Sequence, residues 1–152
     1  MSNLLKKEKG FTLIEIVLVL AIAGLLLVIV FLAVSGAQKS RRDSQRKNDV
    51  SRIAAQLESY ASNANGVYPT NPQFGAGAAV AGNFWGTYIA TGNYKSPLSG
   101  NIYANSVAWP AGVATTDTVY YRSGTACDGT AIGRGYSVEI GLEQGVNCRD
   151  NK

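Results

Sequence analysis

Residues 11–34, FTLIEIVLVLAIAGLLLVIVFLAV, decide the fold. Between Leu13 and Val34, 17 residues are Leu, Ile, Val or Phe, and the only polar side chains in the stretch belong to Thr12 and Glu15. A helix of this length reaches roughly 36 Å, whereas the hydrocarbon core of a bilayer is about 30 Å thick. Because so many apolar side chains outweigh one acid, the stretch predicts a helix that spans a membrane.

An amphipathic stretch follows at 37–62, and its apolar residues form one stripe at helical spacing: Val50, Ile53, Ala54, Leu57, Tyr60 and Ala61. No proline interrupts residues 11–62, and NANGVYP at 63–69 supplies the turn residues that end a helix. We therefore expect one helix over about 12–62, with a stripe that a sheet covers. Four basic side chains precede the stripe and indicate a solvated face or, alternatively, contact with lipid head groups or neighbouring acids: Arg41, Arg42, Arg46 and Lys47.

The composition changes after this helix to that of a small, glycine-rich β domain. Glycine-rich loops separate three β-prone runs, at 102–107, 118–123 and 136–143. In the last run apolar residues alternate with polar or small ones, which is typical of a half-buried strand. These runs predict a small sheet.

The net charge of +4 lies outside this domain, because residues from 63 onward are neutral. A neutral domain offers no basic footprint for nucleic acid. The chain has no His, which removes the commonest general base and metal ligand. We expect a structural protein and not an enzyme, with no cofactor and no metal.

Two cysteines, Cys127 and Cys148, enclose 20 residues near the end of the chain. A disulfide between them would contribute roughly 3 kcal/mol by loop entropy and would pin the final segment, GVNCRDNK, against the sheet. Two buried thiols are the alternative. A redox or metal role is least favoured, since two cysteines are too few for a zinc cage.

The start of the chain resembles the N-terminus of type IV pilins and pseudopilins. A short basic leader ends in Gly10, FTLIE follows at 11–15, and the apolar helix comes next. The stretch NDVSRIAAQLESYASNANGVYPT, at 48–70, also resembles the end of a pilin helix and its entry into the globular head. The resemblance implies an α+β, pilin-like fold in which the long helix packs on a small antiparallel sheet.

The resemblance implies four segments: a prepilin leader at 1–10, a hydrophobic transmembrane and assembly half-helix at 11–36, an amphipathic half-helix at 37–64, and a globular β head at 65–152. It also implies that a prepilin peptidase cuts between Gly10 and Phe11 and methylates the new amine of Phe11.

Two roles are open for Glu15, and they can coexist. Thr12 and Glu15 fit a capping box, in which the carboxylate satisfies backbone N–H groups at the helix start. In the family this carboxylate is associated with the N-terminal amine of a neighbouring subunit, and such a pair fixes the register of docking. We favour the assembly role. Where many pilins carry a proline further along the helix, this chain has Gly24, which permits local unwinding or close helix packing.

The implied function is that of a pilus subunit, stored as a single-pass membrane protein with its N-terminus in the cytoplasm and polymerised with identical subunits into an extracellular filament. The implied partners are the prepilin peptidase, a pilus assembly ATPase with its platform proteins, and membrane lipid before assembly. A pseudopilin of a secretion or DNA-uptake system fits the same residues. A bare count of basic residues around the apolar run would place the head in the cytoplasm, and the resemblance overrides that count.

A different class of function is a secreted or membrane-anchored binding module. Residues 33–35, Ala-Val-Ser, resemble an ordinary signal-peptidase site, with release after Ser35. The apolar core of such signals is about 7–15 residues long. The apolar run of this chain is longer, which disfavours this alternative.

Overall fold

The computed structural model describes residues 10–75, 82–110 and 114–152. Its elements in chain order are helix α1 at Leu13–Asn63, helix α2 at Asn71–Phe74, a π-helical turn at Trp85–Ile89, and strands β1 at Ala104–Ser106, β2 at Thr118–Thr125, β3 at Ala131–Leu142 and β4 at Gly145–Asp150. The chain forms two compact units that meet between Gln38 and Lys39, within α1. We call them the N-terminal unit and the head unit. The predicted α+β class with one long N-terminal helix is confirmed.

The head unit contains one four-stranded sheet in the order β1-β2-β3-β4. Strand β3 is antiparallel to both β2 and β4, whereas β1 is parallel to β2. The prediction of an antiparallel sheet is therefore wrong for one pair, and the sheet is mixed. Residues 107–117 connect β1 to β2, which is long enough for the chain to return to the end of the sheet where β1 begins, as a parallel pair requires. The short turn after Leu142 instead reverses the direction of the chain, which gives the antiparallel pair of β3 and β4.

The predicted apolar stripe on the second half of α1 packs into the core of the head unit. Val50, Ile53 and Leu57 are fully buried, together with side chains from the inner face of the sheet: Val119, Tyr121, Val138 and Ile140. Burial of a side chain of this size contributes about 1.5–3 kcal/mol. The stripe therefore fixes which face of the helix meets the sheet.

The prediction of a half-buried last strand is wrong, because both faces of β3 are covered between Gly135 and Gly141. Ser137 is fully buried and Glu139 is 8% exposed, although both point away from α1. The segment that precedes β2 crosses this outer face: the Gly141 N–H donates to the carbonyl of Thr115, at 3.0 Å. A Cβ at Gly141 would collide with the carbonyl of Ala114, so this crossing requires a glycine.

Candidate processing and assembly site

The predicted cleavage junction lies just outside α1. Gly10, Phe11 and Thr12 precede the first helical residue and are exposed, and the Phe11 side chain is 85% exposed. A peptide bond outside regular structure has no helical hydrogen bonds to break before it enters a peptidase. The rest of the predicted leader, residues 1–9 with its lysines, lies outside the described residues.

Glu15 caps the start of α1 in the structure. Its Oε2 accepts hydrogen bonds from the Thr12 backbone N–H, at 2.8 Å, and from the Thr12 hydroxyl, at 2.7 Å. The Glu15 N–H in turn donates to Thr12 Oγ1, at 3.4 Å. This is the reciprocal arrangement of a capping box. The second carboxylate oxygen, Oε1, receives no hydrogen bond from the described residues, so it is free for a further donor.

The apolar residues of the N-terminal unit are exposed along the whole helical stretch. From Phe11 to Val34 every large apolar side chain is between 47% and 85% exposed. By length and composition α1 contains a segment able to cross a membrane, and none of that segment is buried by the described residues. So large an apolar surface requires lipid or other protein around it.

Gly24 lies inside α1, and the helix is not interrupted there. A Cβ built on Gly24 would meet no atom within 4 Å. The residue therefore leaves a gap in a surface of large side chains, of the kind that lets a neighbouring helix approach closely.

The basic cluster on α1 divides into two parts, and the prediction of one solvated face is wrong for half of it. Arg41 and Lys47 are exposed, whereas Arg46 is fully buried and Arg42 is partly buried. Arg46 lies on the same helix face as Val50 and Ile53, four and seven residues later. Sequence reasoning treated it as surface because arginine is rarely buried without partners.

The acidic partners of these arginines come from the start and from the end of the head unit's sequence. Glu143 accepts from Arg42 Nε at 3.0 Å and from an Arg46 amino group at 3.4 Å, and Asp43 accepts from the same Arg46 group at 2.9 Å. The backbone N–H of Glu143 also donates to Asp43, at 2.9 Å. The hydrogen bond from Arg42 and the charges of both arginines hold the pKa of Glu143 below its usual value. This cluster ties α1 to the end of β3.

The buried acid Asp49 was also missed by sequence reasoning. The Tyr103 hydroxyl donates to one carboxylate oxygen at 3.1 Å, and Arg52 donates to the other at 3.2 Å. Burial raises the pKa of Asp49, and the Tyr103 hydrogen bond and the Arg52 charge lower it in part. Asp49 lies four residues before Ile53, in line with the apolar stripe, and this position was the sequence signal that could have indicated its burial.

Cys127 and Cys148 form a disulfide, as predicted. The bond joins the β2–β3 turn to β4, and the Cys127 N–H donates to Asp150 at 2.8 Å. The predicted pinning of the final segment is thereby observed, in the form of strand β4. Within the described ranges of the chain, no three His, Cys, Asp or Glu side chains are grouped to hold a metal ion.

Comparison with known proteins gives one match. The family model of the prokaryotic N-terminal methylation motif matches residues 5–31. No curated protein and no solved structure matches the chain. The matched residues span the predicted cleavage junction, Glu15 and Gly24.

Proposed function

We propose that this chain is the structural subunit of a type IV pilus-like extracellular filament. The support is the methylation motif at residues 5–31, which is the class III signal peptide of type IV pilins and pseudopilins. The precursor is anchored in the membrane by the apolar half of α1. A prepilin peptidase cuts between Gly10 and Phe11 and methylates the amine of Phe11. The methylation motif carries this proposal.

Assembly transfers the apolar surface from lipid to neighbouring helices. The exposed band from Phe11 to Val34 supports this step, because it has no partner inside the described chain. The new amine of Phe11 is charged at neutral pH and pairs with Glu15 of a neighbouring subunit. The unoccupied Oε1 of Glu15 is suited to that pair, while Oε2 keeps the helix cap. The pair relieves two charges that would be costly alone in an apolar bundle and sets the register.

The subunit is a structural protein and not an enzyme. The N-terminus of the precursor faces the cytoplasm, the head faces outward, and an assembly ATPase with its platform proteins drives polymerisation. The predicted segments, 1–10, 11–36, 37–64 and 65–152, then correspond to leader, assembly half-helix, amphipathic half-helix and head. Gly24 serves close packing between helices.

The alternative is a pseudopilin of a secretion or DNA-uptake system, which the same motif fits equally well. Release of a free module after Ser35 is less well supported. Ser35 lies within α1, and its hydroxyl donates to the carbonyl of Leu32 at 3.0 Å. A signal peptidase would have to unwind this turn before it cut.

The test is the intact mass and the N-terminal peptide of the protein purified from its own cells. We expect a chain that begins at Phe11 with one added methyl group. A chain that begins at Gly36 would overturn the proposal in favour of a released module. An uncut Met1 would leave a plain membrane anchor, and Glu15 would then be only a helix cap.

A further inference from the structure

We propose that a groove on the head unit binds a neutral carbohydrate. The groove has a volume of about 280 Å³ and runs between the end of α1 and the π-helical turn. We call it the aromatic groove, and its lining includes three rings and three uncharged polar side chains: Tyr60, Phe84, Tyr88, Gln73, Asn83 and Thr87. The proposal does not depend on processing or on filament assembly.

The three rings of the aromatic groove hold one another in place. Phe84 and Tyr88 are stacked, with ring centroids 5.2 Å apart. Tyr60 stands nearly perpendicular to both, at 5.8 Å from Phe84 and 5.9 Å from Tyr88. Phe84 is buried, whereas Tyr60 and Tyr88 are half-buried. Phe84 therefore supports the other two rings from below, and the partly exposed rings of Tyr60 and Tyr88 give a pyranose a rigid apolar surface for its C–H groups at little cost in conformational entropy.

The hydroxyl groups of Tyr60 and Tyr88 set them apart from five of the other tyrosines. The chain has eight tyrosines, and five of them use their hydroxyls in hydrogen bonds inside the head unit: Tyr68, Tyr103, Tyr120, Tyr121 and Tyr136. Tyr94 carries the Arg52 guanidinium over its ring. Tyr60 and Tyr88 form neither a hydroxyl hydrogen bond nor a cation–π contact with any described residue, and both line the aromatic groove. Their hydroxyls are therefore available to a ligand.

Two carboxamides line the same groove, and one of them adds a donor. Gln73 Oε1 accepts from the Thr70 N–H at 2.8 Å, and Asn83 Oδ1 accepts from the Gly86 N–H at 2.7 Å. Each amide is thus held through its oxygen; the Asn83 NH₂ group lies against Gly75, while the Gln73 NH₂ group has no described acceptor and remains a donor. Sugar hydroxyls pair with such donors and with phenol hydroxyls.

The charge and size of the aromatic groove narrow the ligand class. None of its lining residues is Asp, Glu, Lys or Arg, so a charged ligand would find no counter-ion there. The volume of about 280 Å³ is just below the usual range for small-molecule sites, about 300–1,000 Å³, which limits the ligand to one or two sugar rings. A neutral sugar matches the rings, the free hydroxyls and the amides together.

The test uses the full chain in a detergent without a sugar head group, since a glycosidic detergent would itself compete. The probes are immobilised neutral oligosaccharides, namely lactose, mannosides and N-acetylglucosamine oligomers, and the best of them is titrated by calorimetry. We expect a dissociation constant on the order of 1 mM or tighter. Thr87→Arg fills the aromatic groove from an exposed position and should weaken binding by about tenfold or more.

Thr91→Arg is the matched control, because Thr91 is exposed on the same segment but does not line the groove. It should bind like the unaltered protein. Tyr88→Phe keeps the ring and removes one hydroxyl, and it should weaken binding by about fivefold. Thermal unfolding of each variant verifies that it folds.

Three outcomes would overturn the proposal. The first is that none of the neutral probes binds. The second is equal binding by folded Thr87→Arg and Thr91→Arg. The third is that a proline-rich peptide or an acidic glycan, and not a neutral sugar, binds in a way that Thr87→Arg abolishes. None of these outcomes bears on the mass of the mature chain, so the filament proposal is tested separately.

Discussion

The two units of this chain use their apolar residues in opposite ways. In the N-terminal unit the apolar side chains from Phe11 to Val34 are exposed, while in the head unit Val50, Ile53 and Leu57 are fully buried. Apart from Phe11, both sets lie on α1, so helix propensity does not separate them. The difference is that the second set has a sheet from its own chain to cover it, and the first requires an environment supplied from outside.

Charged groups show the same contrast. Glu15 has one oxygen in a local cap and one without a described donor. Asp43, Asp49 and Glu143 are each paired with arginines inside the head unit. These three acids of the head unit therefore have partners within it, whereas the acid of the N-terminal unit is suited to a partner from outside.

The largest effect should come from Glu15→Gln, which removes the charge but keeps an oxygen that can accept from Thr12. We expect filament yield to fall by roughly tenfold or more, because the neutral amide cannot pair with the Phe11 amine. Electron microscopy of sheared filaments measures the yield. The melting temperature of the head unit should not change.

Thr12→Val is the control for this variant, since it removes the capping hydroxyl and keeps the carboxylate. We expect it to assemble nearly as well as the unaltered chain. Equal losses in both variants would show that the cap, and not the charge pair, is what assembly requires.

Leu57→Ala should destabilise the head unit by about 2–5 kcal/mol, since it opens a cavity beside the sheet. Leu26→Ala makes the same chemical change on the exposed part of α1. It should leave the unfolding of the head unit unchanged. Urea unfolding of the full chain in detergent, followed by near-UV circular dichroism, measures both. A comparable loss for Leu26→Ala would contradict the division into two units.

Replacing both cysteines, Cys127→Ser with Cys148→Ser, should cost the head unit about 3 kcal/mol. The same urea titration measures this change. Reducing agent should lower the unfolding midpoint of the unaltered chain and leave that of the double variant where it is. A response of the double variant to the reductant would show that the disulfide is not the origin of the loss.

The smallest expected effects are two pH dependences of opposite sign. The folded-state pKa of Glu143 is lowered from its ordinary 4.5, so its stabilisation is present above that value and is lost as the pH falls. The folded-state pKa of Asp49 is raised from its ordinary 3.8, so stability falls as the pH rises past that value.

The measurement is the urea midpoint between about pH 3 and pH 7 for Glu143→Gln and Asp49→Asn. In Glu143→Gln the urea midpoint should fall less on acidification than in the unaltered chain. Asp49→Asn should make that decline steeper, because it removes the opposing contribution. Identical pH profiles for both variants would show that Glu143 and Asp49 do not affect stability in opposite directions.

The helix and its stripe were predictable because their signals are local and periodic. The N-terminal methylation motif was predictable because its signal lies in a few consecutive residues. The cleavage junction at Gly10 and Phe11 and the assembly role of Glu15 stay predictions. The parallel β1–β2 pair was not, since its register depends on a long connection with no periodic signal. Arg46 was misassigned for a similar reason: one acid that pairs with it, Glu143, is 97 positions away, so the sequence near Arg46 gives no reason for burial.

The disulfide has a chemical consequence for the mature subunit. With Cys127 joined to Cys148 the protein has no free thiol. Its single methionine is Met1, in the leader that processing would remove. A chain that begins at Phe11 therefore carries no thiol and no thioether, and the first steps of sulfur oxidation have no substrate in it. A filament of such subunits would offer peroxide no thiol and no thioether to oxidise.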